Sequence, residues 1–197
     1  MCIIIDSLYD LICKGELFVS EMDFQFHLAL ILKGKEANNI IFNYPIKTSE
    51  LYKKYKGKMY HDSFNNKHID LYFIYNGEEY FVELKYKTDK YKINKGEKSF
   101  LLVKQMAYSD NFYSVYKDIE RMENLRRINP KYKTYVLCLT NDSYYWENHL
   151  KGKVGTFNLF EKTKIIEIKD LYLEKSYDIE WKKFNNEFKY LLIDLNV

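Results

Sequence analysis

The stretch HIDLYFIYNGEEYFVELKYK, residues 68–87, decides the fold. Two runs rich in β-branched and aromatic residues flank Asn76-Gly77, the dipeptide favoured in two-residue type I′ hairpin turns. The pattern predicts an antiparallel hairpin with strands at 68–75 and 78–87. A two-residue turn also sets the register, because the numbers of paired residues then sum to 153.

This register carries a chemical signal. It puts Asp70 directly opposite Glu83 and His68 opposite Lys85, and residues two apart share one face of a strand. Two carboxylates about 5 Å apart repel each other unless a cation lies between them. Oxygen ligands beside a phosphate suit Mg²⁺, and a neighbouring lysine could hold a water or stabilise charge on the phosphate.

The acid-x-Lys tripeptide alone is not informative in this chain. With 28 acidic residues and 28 lysines among 197 positions, chance gives about four such tripeptides, and four are present, beginning at Glu83, Glu167, Glu180 and Glu187. A surface hairpin with a simple ion pair is therefore the alternative interpretation. The apolar neighbours of Asp70 and Glu83 favour a functional site over an exposed ion pair.

Elements outside the hairpin predict an α/β fold. A helix is expected at 3–14, and a second helix runs from Glu21 to Lys33 with Ser20 as its cap. The other predicted elements are a strand at 40–44, a lysine-rich loop at 88–98, a short helix within 100–108, a helix at 110–128, a strand at 132–140 and a last strand at 188–195. Strands with helices on both sides predict one three-layer domain over 1–197, with a core at about 15–140 and a C-terminal extension at 141–197.

Composition limits the function classes. A net charge of +3, with 28 lysines but only 3 arginines, is too small for a protein that coats nucleic acid. Cys2, Cys13 and Cys138 have no CxxC spacing, which predicts reduced thiols in a cytoplasmic protein. The first residues lack the pattern of a signal peptide, and the chain has no GxxxxGK[ST] phosphate loop, which argues against ATP hydrolysis.

The arrangement resembles the restriction-endonuclease-like PD-(D/E)XK nuclease superfamily over residues 15–140. Asp70 is followed after twelve residues by Glu83-x-Lys85, and a helix bearing Glu21 precedes them. The resemblance implies an α/β/α sandwich around a central mixed sheet, Mg²⁺ bound by Asp70 and Glu83 with Mn²⁺ as a substitute, and a water positioned by Lys85. Glu21 would add a helix-borne acid. Ile69 stands where the motif has its proline.

The same resemblance implies DNA cleavage. Gln105 is a candidate polar contact to the substrate or to a metal-bound water, and a loop or cap residue is the alternative interpretation. Candidate phosphate contacts are Lys53, Lys54, Lys56, Lys58 and Arg121. A solvated loop is the alternative interpretation for the four lysines. An intrahelical pair of Arg121 with Asp118 is the alternative for the arginine. A non-catalytic nucleic-acid-binding or assembly subunit and an RNA-directed nuclease remain open, and a homodimer would suit the cutting of two strands.

Overall fold

The computed structural model describes residues 2–46, 68–147, 158–165, 171 and 173–196. The described elements, in chain order, are α1 (Ile3–Cys13), α2 (Glu21–Gly34), β1 (Asn38–Pro45), β2 (His68–Tyr75), β3 (Glu78–Lys87), β4 (Tyr91–Lys95), β5 (Lys98–Leu102), α3 (Tyr108–Ile128), β6 (Lys133–Thr140), a 3₁₀ turn (Ser143–Tyr145), β7 (Lys164–Ile165), β8 (Tyr177–Asp178), β9 (Lys182–Lys183) and β10 (Lys189–Asp194).

The main sheet has six strands in the order β1-β2-β3-β6-β10-β9. Strands β3 and β6 run parallel, and the other neighbours in this sheet run antiparallel. An α/β fold with a mixed central sheet, as predicted, is therefore confirmed. The C-terminal strand β10 pairs with β6, so the segment predicted as an extension contributes to the sheet itself.

Helices cover both faces of this sheet. On β3, the side chains of Val82, Leu84 and Tyr86 belong to the buried cluster that includes α1 and α2. Alternation along a strand sends Glu83 and Lys85 to the opposite face. That face carries α3, whose buried side chains form a second cluster with β6 and β10. The charged pair of β3 thus points toward a helix rather than toward open solvent.

Helix α2 begins as the sequence predicts. The Ser20 Oγ accepts a hydrogen bond from the Asp23 amide at 3.1 Å, and the Asp23 carboxylate accepts one from the Val19 amide at 2.9 Å. These bonds satisfy backbone donors that a helix start leaves free. Because the cap fixes the first turn, Glu21 is held as the first residue of the helix, next to the end of β3.

The predicted hairpin turn is confirmed. Asn76 and Gly77 have φ values of 51° and 76°, and both central residues of a type I′ turn need positive φ. The ladder runs from Tyr75 opposite Glu78 to Leu71 opposite Val82, in the predicted register. The fold thus sets the positions of Asp70 and Glu83 through a turn of two residues.

Replacing Gly77 by alanine should lower the free energy of unfolding by about 1–2 kcal/mol, because a β-carbon is disfavoured at this left-handed backbone conformation. Gly34 is the matched control. It lies at the end of α2 without a positive φ, and neither glycine has an atom within 4 Å of an added β-carbon. Gly34→Ala should therefore be neutral or stabilise by up to about 1 kcal/mol in urea denaturation. Equal effects of the two changes would contradict the turn assignment.

Two predictions between the hairpin and α3 are wrong. The expected loop at 88–98 and short helix within 100–108 are instead the hairpin β4–β5, which turns at Gly96 with φ 59°. Ile93 and Leu102 are its buried residues, and the exposed Leu101 and Val103 on either side of Leu102 break the alternation of apolar and polar residues in the sequence. The strand predicted at 40–44 lies within β1. Among the described residues, no helix has the length and apolar character needed to cross a membrane.

Candidate active site

Strands β2 and β3 separate at Asp70. The ladder ends at the pair Leu71–Val82, so Asp70 is not paired directly with Glu83 as the register predicts. Instead, the Asp70 Oδ2 accepts a hydrogen bond from the Leu84 amide at 2.7 Å. The carboxylate occupies the place of a backbone acceptor from β2, which opens a fork between the two strands. His68, expected opposite Lys85, is exposed and pairs with Pro45 of β1.

Helix α2 closes the open side of this fork. The Glu21 Oε2 accepts a hydrogen bond from the Tyr86 amide at 2.7 Å, and the Gln25 side-chain amide donates to the backbone carbonyl of Asp70. The amides of Leu84 and Tyr86 point to the same edge of β3 because they are two residues apart. Two carboxylates from different elements therefore lie next to each other along one strand edge.

On the α3 side of β3 lies a buried charged cluster. The Arg121 Nη2 lies 2.7 Å from the Glu83 Oε1, and the Lys85 Nζ lies 2.7 Å from the Asp118 Oδ2. Arg121 also contacts Asp118, one helical turn away on α3. The side chain of Glu83 is 2% exposed and that of Arg121 is 10% exposed. The alternative interpretation of Arg121, an intrahelical pair with Asp118, is thus present, and the guanidinium points inward.

Burial and neighbouring charges set the protonation of this cluster. Burial raises the pKa of the Glu83 carboxyl well above its usual value, and the Asp118 carboxylate adds to the effect while Arg121 opposes it. Burial lowers the pKa of Lys85, but the carboxylates of Asp118, Glu83 and Asp70 have a larger effect in the opposite direction, so the pKa of this lysine is raised. Lys85 is therefore a firmly protonated donor and not a general base.

Glu21 shares the electrostatics of the fork. Its pKa is raised, mainly by burial, while the hydrogen bond from the Tyr86 amide and the charge of Lys85 act in the opposite direction. The charge of Asp70 acts on both Glu21 and Glu83 and raises the pKa of each. A cation bound at Asp70 would relieve the repulsion on both sides.

The carboxylate oxygens of this site fit a Mg²⁺ ion that is held by few protein ligands. No described residue donates a hydrogen bond to the Asp70 Oδ1, the Glu21 Oε1 or the Glu83 Oε2, and each of these carboxylates has its other oxygen in contact with a donor. Across the described ranges, no three His, Cys, Asp or Glu side chains form a ready cluster for a metal ion. Mg²⁺ commonly takes one or two carboxylates and completes its shell with water and phosphate oxygens.

The structure places four of the residues predicted from the sequence around β3, with Asp70 and Glu21 on its edge amides and Glu83 and Lys85 against α3. Gln105 lies farther out and lines a cleft together with Glu21. The predicted phosphate contacts Lys53, Lys54, Lys56 and Lys58 lie outside the described residues.

Two residues of the site were missed in the sequence. Gln25 lies four positions after Glu21, which places it on the same face of α2, and this spacing could have identified it. Asp118 was considered only as a partner of Arg121, and nothing in the sequence indicated its contact with Lys85. That contact depends on how α3 crosses β3.

A scan against protein-family models and searches of curated proteins and of solved structures found no match to this chain. The features of the candidate site are a strand fork that holds two carboxylates by backbone amides, and a buried acid with an ammonium group beside it.

Proposed function

We propose that this protein is a Mg²⁺-dependent nuclease that hydrolyses phosphodiester bonds of DNA on a restriction-endonuclease-like fold. The observation that supports it most is the fork between β2 and β3, where Asp70 and Glu21 accept hydrogen bonds from consecutive outward amides of β3. Such fixed carboxylates beside a protonated lysine suit a metal and a phosphate. A purely structural pair of carboxylates would not need to be adjacent.

Asp70 and Glu83 would hold the metal through Oδ1 and Oε2, to which no described residue donates a hydrogen bond, with Glu21 as an accessory acid. When bound, Mg²⁺ would supply positive charge that stabilises the transferring phosphate. Lys85 donates hydrogen bonds from its ammonium, and it can orient the attacking water or contact a phosphate oxygen. Asp118 keeps this ammonium in place at 2.7 Å.

Arg121 gives Glu83 a counter-charge within the protein. An isolated carboxylate at 2% exposure would be costly, and the guanidinium reduces that cost. The contact uses the Glu83 Oε1 and leaves Oε2 for a metal. The same contact supports the second candidate, a non-catalytic DNA-binding subunit, because Glu83 is already neutralised without any metal.

Titration with Mg²⁺ separates the two candidates. At a Mg²⁺ concentration ten times its dissociation constant, binding adds about 1.4 kcal/mol to the free energy of unfolding. This raises the Tm by about 3–6 °C in a chain of this size. The wild-type protein should show this shift and Asp70→Asn should not. A wild-type Tm that does not respond to millimolar Mg²⁺ would favour the binding subunit.

Cleavage is the direct test of the proposed function. The purified protein should cut DNA in Mg²⁺ or Mn²⁺ and should be inactive in EDTA. A matched RNA substrate in the same assay addresses the RNA-directed alternative. Absence of cleavage of either nucleic acid under all these conditions would overturn the proposal.

A further inference from the structure

A cleft of about 370 Å³ lies beside Glu21, at the end of β3. Its walls come from the start of α2, the end of β3 and the segment 101–105. Glu21 belongs both to this cleft and to the fork that holds Asp70. The cleft is therefore continuous with the candidate active site, and its volume is at the lower end of the range for small-molecule pockets.

The outer wall is fixed to β3 by hydrogen bonds. The Thr88 Oγ1 donates to the carbonyl of Val103 at 2.8 Å, and the amide of Gln105 donates to the carbonyl of Thr88 at 2.8 Å. Both bonds join the segment after β5 to the end of β3. The wall is thus in place before any ligand arrives, which lowers the ordering cost of binding.

Two polar side chains of the lining have no described partner. Lys87 makes no ion pair with a described residue, and burial, its main perturbation, lowers the pKa of its ammonium. The carboxamide of Gln105 makes no hydrogen bond to the described part of the chain, although its backbone does. The Glu21 carboxylate of the same cleft acts in the opposite direction on this pKa, but it forms no ion pair with Lys87, so the ammonium can still contact an anionic ligand.

The rim of the cleft is apolar. Leu101 is 71% exposed and Val103 is 63% exposed, although both are large hydrophobic residues. Together with Lys87 and Gln105, they offer an apolar surface, a cation and a hydrogen-bonding amide in one small space. A nucleotide has the matching parts, which are a flat base, a phosphate and polar base edges.

We propose that this cleft binds one unstacked nucleotide of the DNA strand, next to the phosphate that is cut. The phosphate contacts Lys87, the base lies against Leu101 and Val103, and the carboxamide of Gln105 bonds to the edge of the base. The choice of occupant rests on the proposed function, because the cleft shares Glu21 with the site at which the strand would be cut. A free phosphate ion would use Lys87 but would leave the apolar rim exposed.

The test compares two probes that carry equal charge. A short oligothymidylate and an abasic strand of the same length are titrated into the full-length protein in EDTA, which prevents cleavage. The wild-type protein should bind the oligothymidylate about fivefold more tightly, because the base covers the apolar surface of Leu101 and Val103, which the abasic strand leaves exposed. The double variant Leu101→Ser, Val103→Ser should lose this preference and keep its affinity for the abasic strand.

Matched variants separate the contributions of charge and apolar surface. Lys87→Gln should weaken the binding of both probes, whereas Lys33→Gln removes an exposed lysine at the end of α2 remote from Glu21 and should change neither. Leu30→Ser removes an exposed leucine of α2 outside the cleft and should leave the base preference intact. Equal binding of both probes by the wild-type protein, or a preference that survives the double variant, would overturn the inference.

This outcome does not depend on cleavage. A base preference that is lost in the double variant supports the cleft even when the protein cuts nothing, and then the proposed function alone fails. A protein that cuts DNA but binds both probes equally keeps the proposed function and loses the cleft.

Discussion

Asp70→Asn and Glu83→Gln should each lower the rate of DNA cleavage by about 10³-fold or more. Each change keeps the size of the side chain but removes the negative charge that would hold Mg²⁺. Metal stabilisation of the reacting phosphate contributes several kcal/mol, and about 4 kcal/mol corresponds to 10³-fold in rate. The measurement is single-turnover cleavage at saturating protein, with the fold checked by circular dichroism.

The chain contains its own control for this experiment. Glu187 begins another acid-x-Lys tripeptide, but it is exposed and lies just before β10. Glu187→Gln therefore makes the same chemical change in the same local sequence and should leave cleavage unchanged. A Glu83→Gln protein that cuts at the wild-type rate would show that Glu83 does not hold the metal, and the mechanism would then have to be abandoned.

Local sequence signals were sufficient for the parts of the site that depend on one turn or one helix. The dipeptide Asn76-Gly77 predicts both the turn and the register of β2 with β3, and Ser20 predicts where α2 begins. Because these signals act over a few residues, they place Glu83 on a strand next to Asp70 and place Glu21 on the first turn of α2. The turn and the helix start therefore account for the positions of Asp70, Glu83 and Glu21 near β3.

Features that depend on distant parts of the chain were not predicted. The fork at Asp70 forms where its carboxylate, and not a backbone carbonyl of β2, accepts the hydrogen bond from the Leu84 amide. The carbonyl of Asp70 is bonded instead by the Gln25 side chain of α2, a helix distant in sequence. The contact between Arg121 and Glu83 depends on the path of α3 across the sheet. The sequence of β5 shows no alternation of apolar and polar residues, because the exposed Leu101 lies next to the buried Leu102.

Arg121→Met should lower the free energy of unfolding by about 3–5 kcal/mol, because it leaves the carboxylate of Glu83 buried without its guanidinium partner. Lys85 remains paired with Asp118 in this variant, so Glu83 is the carboxylate that loses its counter-charge. Urea denaturation measures the change. Lys104→Met is the control, because Lys104 and Asp89 are 2.8 Å apart but both side chains are 37% exposed, and the loss of this pair should cost about 0–1 kcal/mol.

A second substitution identifies the cause of the instability. When Glu83→Gln is added to Arg121→Met, no buried charge remains at this position, and at least half of the lost stability should return. Mg²⁺ should also restore part of the stability of the Arg121→Met protein, since a metal at Glu83 supplies the positive charge that the guanidinium provided. If the double variant is as unstable as Arg121→Met, the guanidinium stabilises the fold through packing, and the electrostatic role assigned to it is wrong.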